Sequence, residues 1–330
     1  MNKDASKPRA GRAITLKAYA KINLSLDILG RLPNGYHSIR TVMQQVDLFD
    51  TVSVSVREGG AGMRVTLSAE AEAGLDTKAL PTDARNLALR AARAFLERYA
   101  PRFCGSVAIH LQKRIPLAAG LAGGSGNAAA VILALARLCP PQGMPLPAEP
   151  AARMKSLMEL GFCIGADVPF CIMGQAALNG EPGLRGDFAA ACALAEGMGE
   201  RLTPLPSLRG RVIIAKPAAA VSTAAAYAGF DLSAVPAHPD TQALVAGIRA
   251  GDGGKVRKNM INVLEIPVLK EYPEIADMKE TLAADKNAEC ALMSGSGSAV
   301  FAWYRDRVAC ETAFDALRRA KKTVWMADLL

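Results

Sequence analysis

The sequence predicts an α+β fold of two domains. Segments with strand periodicity and segments with helix periodicity alternate irregularly, no run of βαβ units is evident, and the Pro- and Leu-rich residues 203–208 divide the chain. A length of 330 residues, 51% of them hydrophobic, allows one or two globular domains with a large core. We therefore predict a flexible basic tail over 1–12, an N-terminal domain over 13–205 and a C-terminal domain over 206–330.

Strand signals dominate the beginning of the chain. Apolar and polar side chains alternate over residues 21–28, which predicts a strand whose polar face starts with Lys21. Residues 52–56 and 63–67 alternate in the same way, with a valine, leucine or methionine at every second position. The two segments predict an antiparallel hairpin or meander.

Helices and strands follow in mixed order. Apolar residues recur at helical spacing over 86–99, and residues 107–111 alternate as a strand. A glycine-rich loop, a helix to about Leu138, a proline-rich connection and a helix near 151–160 come next. The remaining predicted elements are strands at 211–216, 290–293, 299–304 and 323–326, with several helices after the first and one from Asp306.

Charge and cysteine content restrict the class of protein. The 39 basic and 31 acidic residues give a net charge of +8, but aromatic residues make up only 5% and the basic residues are spread along the chain. This pattern favours polyphosphate ligands over a nucleic-acid partner. The seven cysteines form no CxxC pair, which is typical of reduced thiols in a cytoplasmic protein.

One uncharged stretch is long enough to cross a membrane. Residues 115–136 carry no charge, but they include four glycines, a serine and an asparagine. A loop that leads into a buried helix explains this composition better than a membrane span. The N-terminal tail lacks the apolar core of a signal peptide, so we expect no membrane partner.

The segment PLAAGLAGGSGNAAA, residues 116–130, could bind phosphate. Glycines let the backbone approach a ligand and turn successive N–H groups toward it, and the following helix adds the positive end of its dipole. It is neither a Walker A loop, since no Lys-Ser or Lys-Thr follows, nor a GxGxxG motif. On composition alone, a Gly/Ala turn before a core helix explains it equally well.

Three further segments carry groups suited to phosphoryl transfer. AYAKIN places Lys21 and Asn23 on one face of a strand, GADVP holds Asp167 at a turn, and SGSGS at 294–298 lies between two strands. Taken singly, they are explained by an exposed edge lysine, a helix cap and a hairpin turn. Together, a lysine, an aspartate and two glycine-rich loops can supply the positioning and charge stabilisation that phosphoryl transfer needs.

The order of these segments resembles the GHMP superfamily of small-molecule kinases. NGYHSIRT and GADVPF, with NVLE at 262–265, resemble the 4-diphosphocytidyl-2-C-methyl-D-erythritol kinase family of the non-mevalonate isoprenoid pathway. The resemblance implies ATP-dependent phosphorylation of the 2-hydroxyl of that cytidine-diphosphate substrate. It also implies Mg²⁺ as cofactor, a left-handed βαβ unit in the N-terminal domain, a ferredoxin-like C-terminal domain and an active site in the cleft between them.

The resemblance also implies roles for individual residues. Asp167 would be the base or orienting acceptor for the substrate hydroxyl, and Lys21 would offset charge on the transferred group. The substrate-binding residues would be Asn23, Tyr36, His37, Thr223 and Tyr227. The ATP-binding residues would be Asn86, Lys113, Leu117, Gly120, Gly123, Gly124, Ser125, Asn127, Gly295 and Gly297.

The chain departs from the family pattern at three places. Gly126 stands where serine is usual, and Arg85 stands where aspartate is common. Residues 175–191 look like an insertion, which could form a surface loop or a lid. The sequence leaves two alternative functions open. One is another GHMP kinase acting on a sugar or a mevalonate-type alcohol, and the other is a non-enzymatic nucleic-acid-binding module.

Overall fold

The structure is a computed structural model of the chain, and it describes residues 11–60, 62–72, 75, 80–139 and 145–330. They form two compact units. Of the described residues, unit 1 contains those up to Tyr19, those of Phe49–Leu117 and those of Gly123–Ala189, and unit 2 contains Ala20–Leu48, Ala118–Ala122 and Ala190–Leu330. Residues 1–10 of the predicted tail lie outside the described residues, and Arg12 already belongs to a strand.

Two long strands open the chain and contribute residues to both units. They are β1 (Arg12–Arg31) and β2 (His37–Glu58), and they pair with each other. Because the units are discontinuous in sequence, the domain boundary predicted between residues 205 and 206 remains a prediction.

Unit 1 contains a βαβ unit that the strand pattern alone did not indicate. Strand β3 pairs with β4 in parallel, and β4 pairs with β2 antiparallel, so β4 lies between β2 and β3. The predicted hairpin of residues 52–56 with 63–67 is therefore wrong. Parallel neighbours require a crossover, which helix α1 provides. The elements are β3 (Met63–Ala71), α1 (Leu87–Tyr99) and β4 (Gly105–Lys113).

Three more helices complete unit 1: α2 (Gly123–Leu138), α3 (Pro150–Phe162) and α4 (Val168–Leu178). Helix α2 is buried on nearly all sides and packs against α1 and α4, as its small and apolar residues predict. The described part of the chain contains no helix that is long and apolar enough to cross a membrane.

The segment resembling an insertion, residues 175–191, starts in α4 and ends just before the next strand, which begins at Cys192. Glu181 is buried and accepts a hydrogen bond from Arg137 Nη1 of α2 at 3.3 Å. Burial raises the pKa of Glu181, while Arg137 opposes this shift. The segment is thus anchored to the helical core of unit 1.

Unit 2 holds two groups of strands. The first comprises residues 39–44 of β2, β5 (Cys192–Gly197) and β6 (Arg201–Leu205), all antiparallel. Strand β6 occupies part of the Pro- and Leu-rich segment and was not predicted. Its neighbour β5 is also new relative to the sequence prediction.

The second group is a four-stranded antiparallel sheet in the order β10-β7-β9-β8. Numbered within the sheet, this order is 4-1-3-2 with helices in the two connections, which confirms the expected ferredoxin-like domain. The sheet and its helices surround one apolar core. The strands are β7 (Arg211–Ala215), β8 (Cys290–Met293), β9 (Val300–Tyr304) and β10 (Val324–Asp328). The helices are α5 (Thr223–Ala228), α6 (Thr241–Ala250), α7 (Gly253–Asn259), α8 (Glu265–Glu271), α9 (Pro273–Ala283) and α10 (Arg307–Arg319), with a 3₁₀ turn at Leu232–Ala234.

Candidate active site

In unit 1, the glycine-rich segment forms the amino-terminal turn of α2. Gly123, Gly124 and Ser125 are partly or fully exposed there, and the first turn contains no acidic residue. A Cβ on Gly123 would lie 3.1 Å from Ile115 Cγ2, so the backbone packs closely at this turn. A helix amino terminus of this kind attracts anions.

Two predicted ATP residues of unit 1 are held by an aspartate that sequence reasoning missed. Lys113 and Asn127 are 1% and 2% exposed, and Asp50 between them is completely buried. Lys113 Nζ pairs with Asp50, and Asn127 Nδ2 donates to Asp50 Oδ2 at 2.9 Å. Asp50 Oδ1 also accepts the backbone N–H groups of Arg114 and Ile115, at 2.7 and 2.9 Å.

A signal for Asp50 was present in the sequence. Asp50 shares the alternation of Val52, Val54 and Val56, the apolar face of β2. A carboxylate at one of the alternate positions that form a buried face predicts a buried cationic partner, because an isolated buried charge is costly. The sequence does not indicate which cation that is.

The remaining ATP residues predicted in unit 1 lie near the start of α1 and after β4. Asn86 is the N-cap of α1: its Oδ1 accepts the N–H of Ala88 at 2.9 Å, and its Nδ2 donates to Pro81 O at 2.7 Å. Arg85 binds Asp83, and its hydrogen bonds lower the pKa of Asp83 to about 2. Leu117 is half-buried.

Asp167 stands at the N-cap position of α4 but does not cap the helix with its side chain. The N-cap aspartates of α6, α7 and α10 behave differently, since each accepts a backbone N–H of its own helix at 2.9–3.0 Å. These three residues are Asp240, Asp252 and Asp306. The half-buried Asp167 carboxylate is thus not used as a cap, unlike most aspartates at this position.

In unit 2, Lys21 and Asn23 form a buried polar pair on β1. Lys21 Nζ donates to Asn23 Oδ1 at 2.6 Å, and the two residues are 3% and 2% exposed. Asn23 Nδ2 donates to Thr41 Oγ1 at 2.8 Å, and Thr41 donates to the carbonyl of Ser25. Thr41, which was not predicted, thereby orients the Asn23 amide with its oxygen toward Lys21.

Two glycine-rich segments meet beside this pair, all within unit 2. A Cβ on Gly295 would lie 3.3 Å from both Lys21 Nζ and Asn23 Oδ1, and 3.4 Å from Gly120 O. A Cβ on Gly120 would lie 2.1 Å from Ser294 O. Gly120, Gly295 and Gly297 have φ values of +71°, +57° and +82°, so glycine is required by conformation as well as by space.

The loop 294–298 also offers hydrogen-bond donors. It is buried, and the N–H groups of Gly295 and Ser296 donate to no group among the residues that the structure describes. Buried N–H groups usually have a partner. An anion beside Lys21 would provide one.

The predicted substrate residues also belong to unit 2. Tyr36 is 66% exposed, and the rings of His37 and Tyr227 lie with centroids 5.2 Å apart and planes at 33°. Thr223 Oγ1 is 3.1 Å from Ser296 Oγ of the 294–298 loop. The structure thus brings Tyr227 to His37, and Thr223 to the second glycine-rich loop.

A groove of about 690 Å³ opens elsewhere in unit 2. Residues of α6, β2 and β5 line it, including Arg40 and Glu196, which form an ion pair at 3.0 Å. Because no predicted site residue lines it, the groove is separate from the candidate active site.

The unusual Gly126 has a specific neighbour in unit 1. A Cβ at this position would lie 3.5 Å from Gln175 Nε2 and 3.3 Å from Tyr19 O. Gln175 Nε2 donates to Gly126 O at 3.0 Å, whereas its buried Oε1 has no partner among the described residues. The side-chain amide that a residue at position 126 would contact therefore carries an unsatisfied acceptor.

We expect Gly126→Ser to be more stable than Gly126→Ala by about 1 kcal/mol, because the serine hydroxyl can donate to Gln175 Oε1. Both variants add the same Cβ, so their difference isolates the hydroxyl. Chemical denaturation measures the free energy of unfolding. A serine variant no more stable than the alanine variant would contradict the expectation.

Comparisons with known proteins agree with this arrangement. The family described as GHMP kinases N terminal domain matches residues 86–175, and GHMP kinases C terminal matches residues 244–323. A 4-diphosphocytidyl-2-C-methyl-D-erythritol kinase of Caldicellulosiruptor saccharolyticus is 40% identical over 93% of this chain and 91% of its own. One from Clostridium kluyveri is 36% identical over 94% and 98%.

A solved structure gives the same result. The crystal structure of a 4-(cytidine 5'-diphospho)-2C-methyl-D-erythritol kinase matches with a TM-score of 0.71 and 30% identity, covering 96% of this chain and 99% of that one. The predicted two-domain α+β kinase fold is thereby confirmed. The chain belongs to the 4-diphosphocytidyl-2-C-methyl-D-erythritol kinase family of the GHMP kinases.

Proposed function

We propose that this chain transfers the γ-phosphoryl group of ATP to the 2-hydroxyl of 4-diphosphocytidyl-2-C-methyl-D-erythritol, the reaction of its family, with Lys21 and Asp167 at the reacting groups. The observation that carries the proposal is the buried Lys21–Asn23 pair against Gly295. A cation, an amide and a close-packed glycine backbone together suit a phosphoryl group.

Asp167 accepts or orients the proton of the substrate hydroxyl. The hydroxyl oxygen then bonds to the γ-phosphorus while the bond from that phosphorus to the β,γ-bridging oxygen breaks, and ADP leaves. Lys21 offsets the negative charge that develops on the transferred group. Support for the role of Asp167 comes from its side chain, which does not cap its helix. Since Lys21 belongs to unit 2 and Asp167 to unit 1, their pairing remains a prediction.

The two glycine-rich segments bind the phosphates of ATP in this proposal. Gly120, Gly295 and Gly297 provide backbone in unit 2, and Gly123, Gly124 and Ser125 provide the amino terminus of α2 in unit 1. Three more residues lie beside the nucleotide in this proposal: Lys113, Asn127 and Asn86. Within the protein, Asn127 also contacts Lys113 and Asp50, and Asn86 caps α1.

Mg²⁺ is expected as the cofactor. The described residues hold no group of three His, Cys, Asp or Glu side chains arranged for a metal ion. Mg²⁺ does not need such a group, because it is usually bound through substrate phosphates and one or two carboxylates. When bound, the ion neutralises charge on the β- and γ-phosphates. Among the proposed site residues only Asp167 offers a carboxylate, so it is the residue that would contact the ion.

Cytosine recognition is assigned to the aromatic residues of unit 2. Tyr36 has an exposed ring on which a flat base can stack, while His37 and Tyr227 are already in contact with each other. Asn23 contacts the methylerythritol end of the substrate, and Thr223 lies near its phosphates. A sugar or mevalonate kinase has no need of such a platform.

The proposal is tested by ATP turnover with the cytidyl substrate, with a sugar and with mevalonate, for wild type, Tyr36→Ala and Tyr36→Phe. Stacking of a base on an aromatic ring contributes roughly 1–3 kcal/mol, so we expect Tyr36→Ala to raise KM for the cytidyl substrate by roughly 5- to 150-fold. Tyr36→Phe keeps the ring and should stay near wild type. The KM for ATP should not change in either variant.

Two results would overturn the proposal. If wild type phosphorylated a sugar or mevalonate but not the cytidyl compound, the substrate would be wrong. If Tyr36→Ala left the KM for the cytidyl substrate unchanged, cytosine recognition by Tyr36 would be wrong and the kinase activity would stand.

A further inference from the structure

We infer that Asn262 and Glu265, the two polar residues of NVLE, are positioning residues that hold the loop 294–298 in its phosphate-binding shape. This inference rests on the proposed function, because it takes ATP as the ligand of the loop. Neither side chain is among the residues predicted to bind substrate or nucleotide.

The Asn262 side chain binds backbone carbonyls on both sides of Ser294. Its Nδ2 donates one hydrogen bond to Met293 O at 2.8 Å and another to Gly295 O at 2.7 Å. Its Oδ1 accepts the N–H of Leu264 at 3.0 Å, and the residue is 2% exposed. Every hydrogen-bonding direction of the amide nitrogen is therefore used, which sets the orientation of the amide.

Glu265 binds the same stretch of backbone through an N–H group. Its Oε1 accepts the N–H of Met293 at 2.8 Å, and its Oε2 accepts a hydrogen bond from Lys279 Nζ at 2.6 Å. The carboxylate is mostly buried, and burial raises its pKa while Lys279 opposes the shift. Two residues three positions apart thus bind three backbone groups of residues 293 and 295.

The same backbone borders the reacting groups. With the carbonyls of Met293 and Gly295 turned to Asn262, the N–H groups of Gly295 and Ser296 have no partner among the described residues. A Cβ on Gly295 would be only 3.3 Å from Lys21 Nζ. A change in the Asn262 hydrogen bonds would therefore move phosphate-binding groups relative to Lys21.

Asn262 is also joined to β1 by main-chain contacts. Leu26 donates its N–H to Ile261 O at 2.9 Å, and Val263 donates its N–H to Leu26 O at 3.0 Å. These bonds do not involve the Asn262 side chain, so they keep the segment in place when the side chain is changed. The effect of a substitution should be local to the loop.

The test compares Asn262→Asp with Asn259→Asp. The aspartate at 262 keeps an acceptor for Leu264 but loses both donors to the loop. Asn259 is a suitable control because it is also buried and its Nδ2 donates to a backbone carbonyl, Lys255 O, at 2.8 Å. Calorimetry measures binding of a non-hydrolysable ATP analogue and of adenosine to each protein, and turnover assays give kcat.

For Asn262→Asp we expect affinity for the ATP analogue to fall roughly tenfold or more, with a parallel loss in kcat, because two buried carbonyls lose their donors. Affinity for adenosine, which has no phosphate, should be unchanged. Asn259→Asp should bind both ligands like wild type. If the role of Asn262 were purely structural, Asn262→Asp would lower the affinity for both ligands equally or for neither.

The outcomes separate the inference from the proposed function. If wild type bound no ATP analogue, both would fail. If wild type bound it and Asn262→Asp bound analogue and adenosine as wild type does, only the inference would fail. Should Asn262→Asp not fold, Asn262→Ala makes the same comparison, since it removes the donors without setting a carboxylate against two carbonyl oxygens.

Discussion

Asp167→Asn is expected to lose ATP turnover by roughly 10²–10⁴-fold while it binds nucleotide almost as wild type does. An amide cannot accept the proton of the substrate hydroxyl, whereas its size and hydrogen-bonding reach are nearly the same. The change removes no cap from α4, because the Asp167 side chain does not cap that helix. Steady-state turnover and nucleotide binding by calorimetry measure the two effects.

The matched control for this prediction is Asp306→Asn. Asp306 is the N-cap of α10 and accepts the N–H of Ala309 at 2.9 Å, and asparagine caps helices as well as aspartate does. Its turnover should equal that of wild type. A loss of less than tenfold in Asp167→Asn would leave the reaction intact but make the aspartate an orienting group instead of the base.

Lys113→Met is expected to lower the free energy of unfolding by about 3–5 kcal/mol. The substitution leaves Asp50 as a completely buried carboxylate without its cation. The hydrogen bonds from Asn127 and from the backbone of Arg114 and Ile115 remain, but they do not neutralise the charge. Urea denaturation followed by circular dichroism measures the change.

Lys255→Met is the control for Lys113→Met. Lys255 is exposed on α7, so the same chemical change should alter stability by no more than about 0.5 kcal/mol. Adding Asp50→Asn to Lys113→Met removes the unpaired charge and should recover part of the loss. If the double variant lost more stability than Lys113→Met and Asp50→Asn lose in total as single variants, charge pairing would not be the cause.

Much of the fold was predictable because it depends on short stretches of chain. The alternation from residue 21 to 28 predicted a strand with Lys21 and Asn23 on one face, and both lie in β1 as a hydrogen-bonded pair. The apolar spacing of 86–99 predicted α1, which the structure shows to start at Leu87 with Asn86 as its N-cap. Periodicity and capping act within a few residues, so sequence alone reveals them.

The pairing of strands was less predictable. Residues 52–56 and 63–67 have the alternation of a hairpin, yet β3 pairs with β4, which lies about forty residues further along the chain. A strand pattern states which face is buried but not which neighbour lies beside it. That choice depends on the packing of α1 and the other helices of unit 1.

The candidate site likewise has features that the sequence predicts and contacts that only the structure shows. The sequence by itself determined the glycines at 120, 295 and 297, the polar pair Lys21 and Asn23, and the family to which the chain belongs, because these depend on residue type, local conformation and order along the chain. Only the tertiary structure decided the partners that support them. Asp50 meets Lys113 across 63 positions, and Asn262 meets Gly295 across 33. Contacts at such separations form only when the whole chain has packed, so no local pattern contains them.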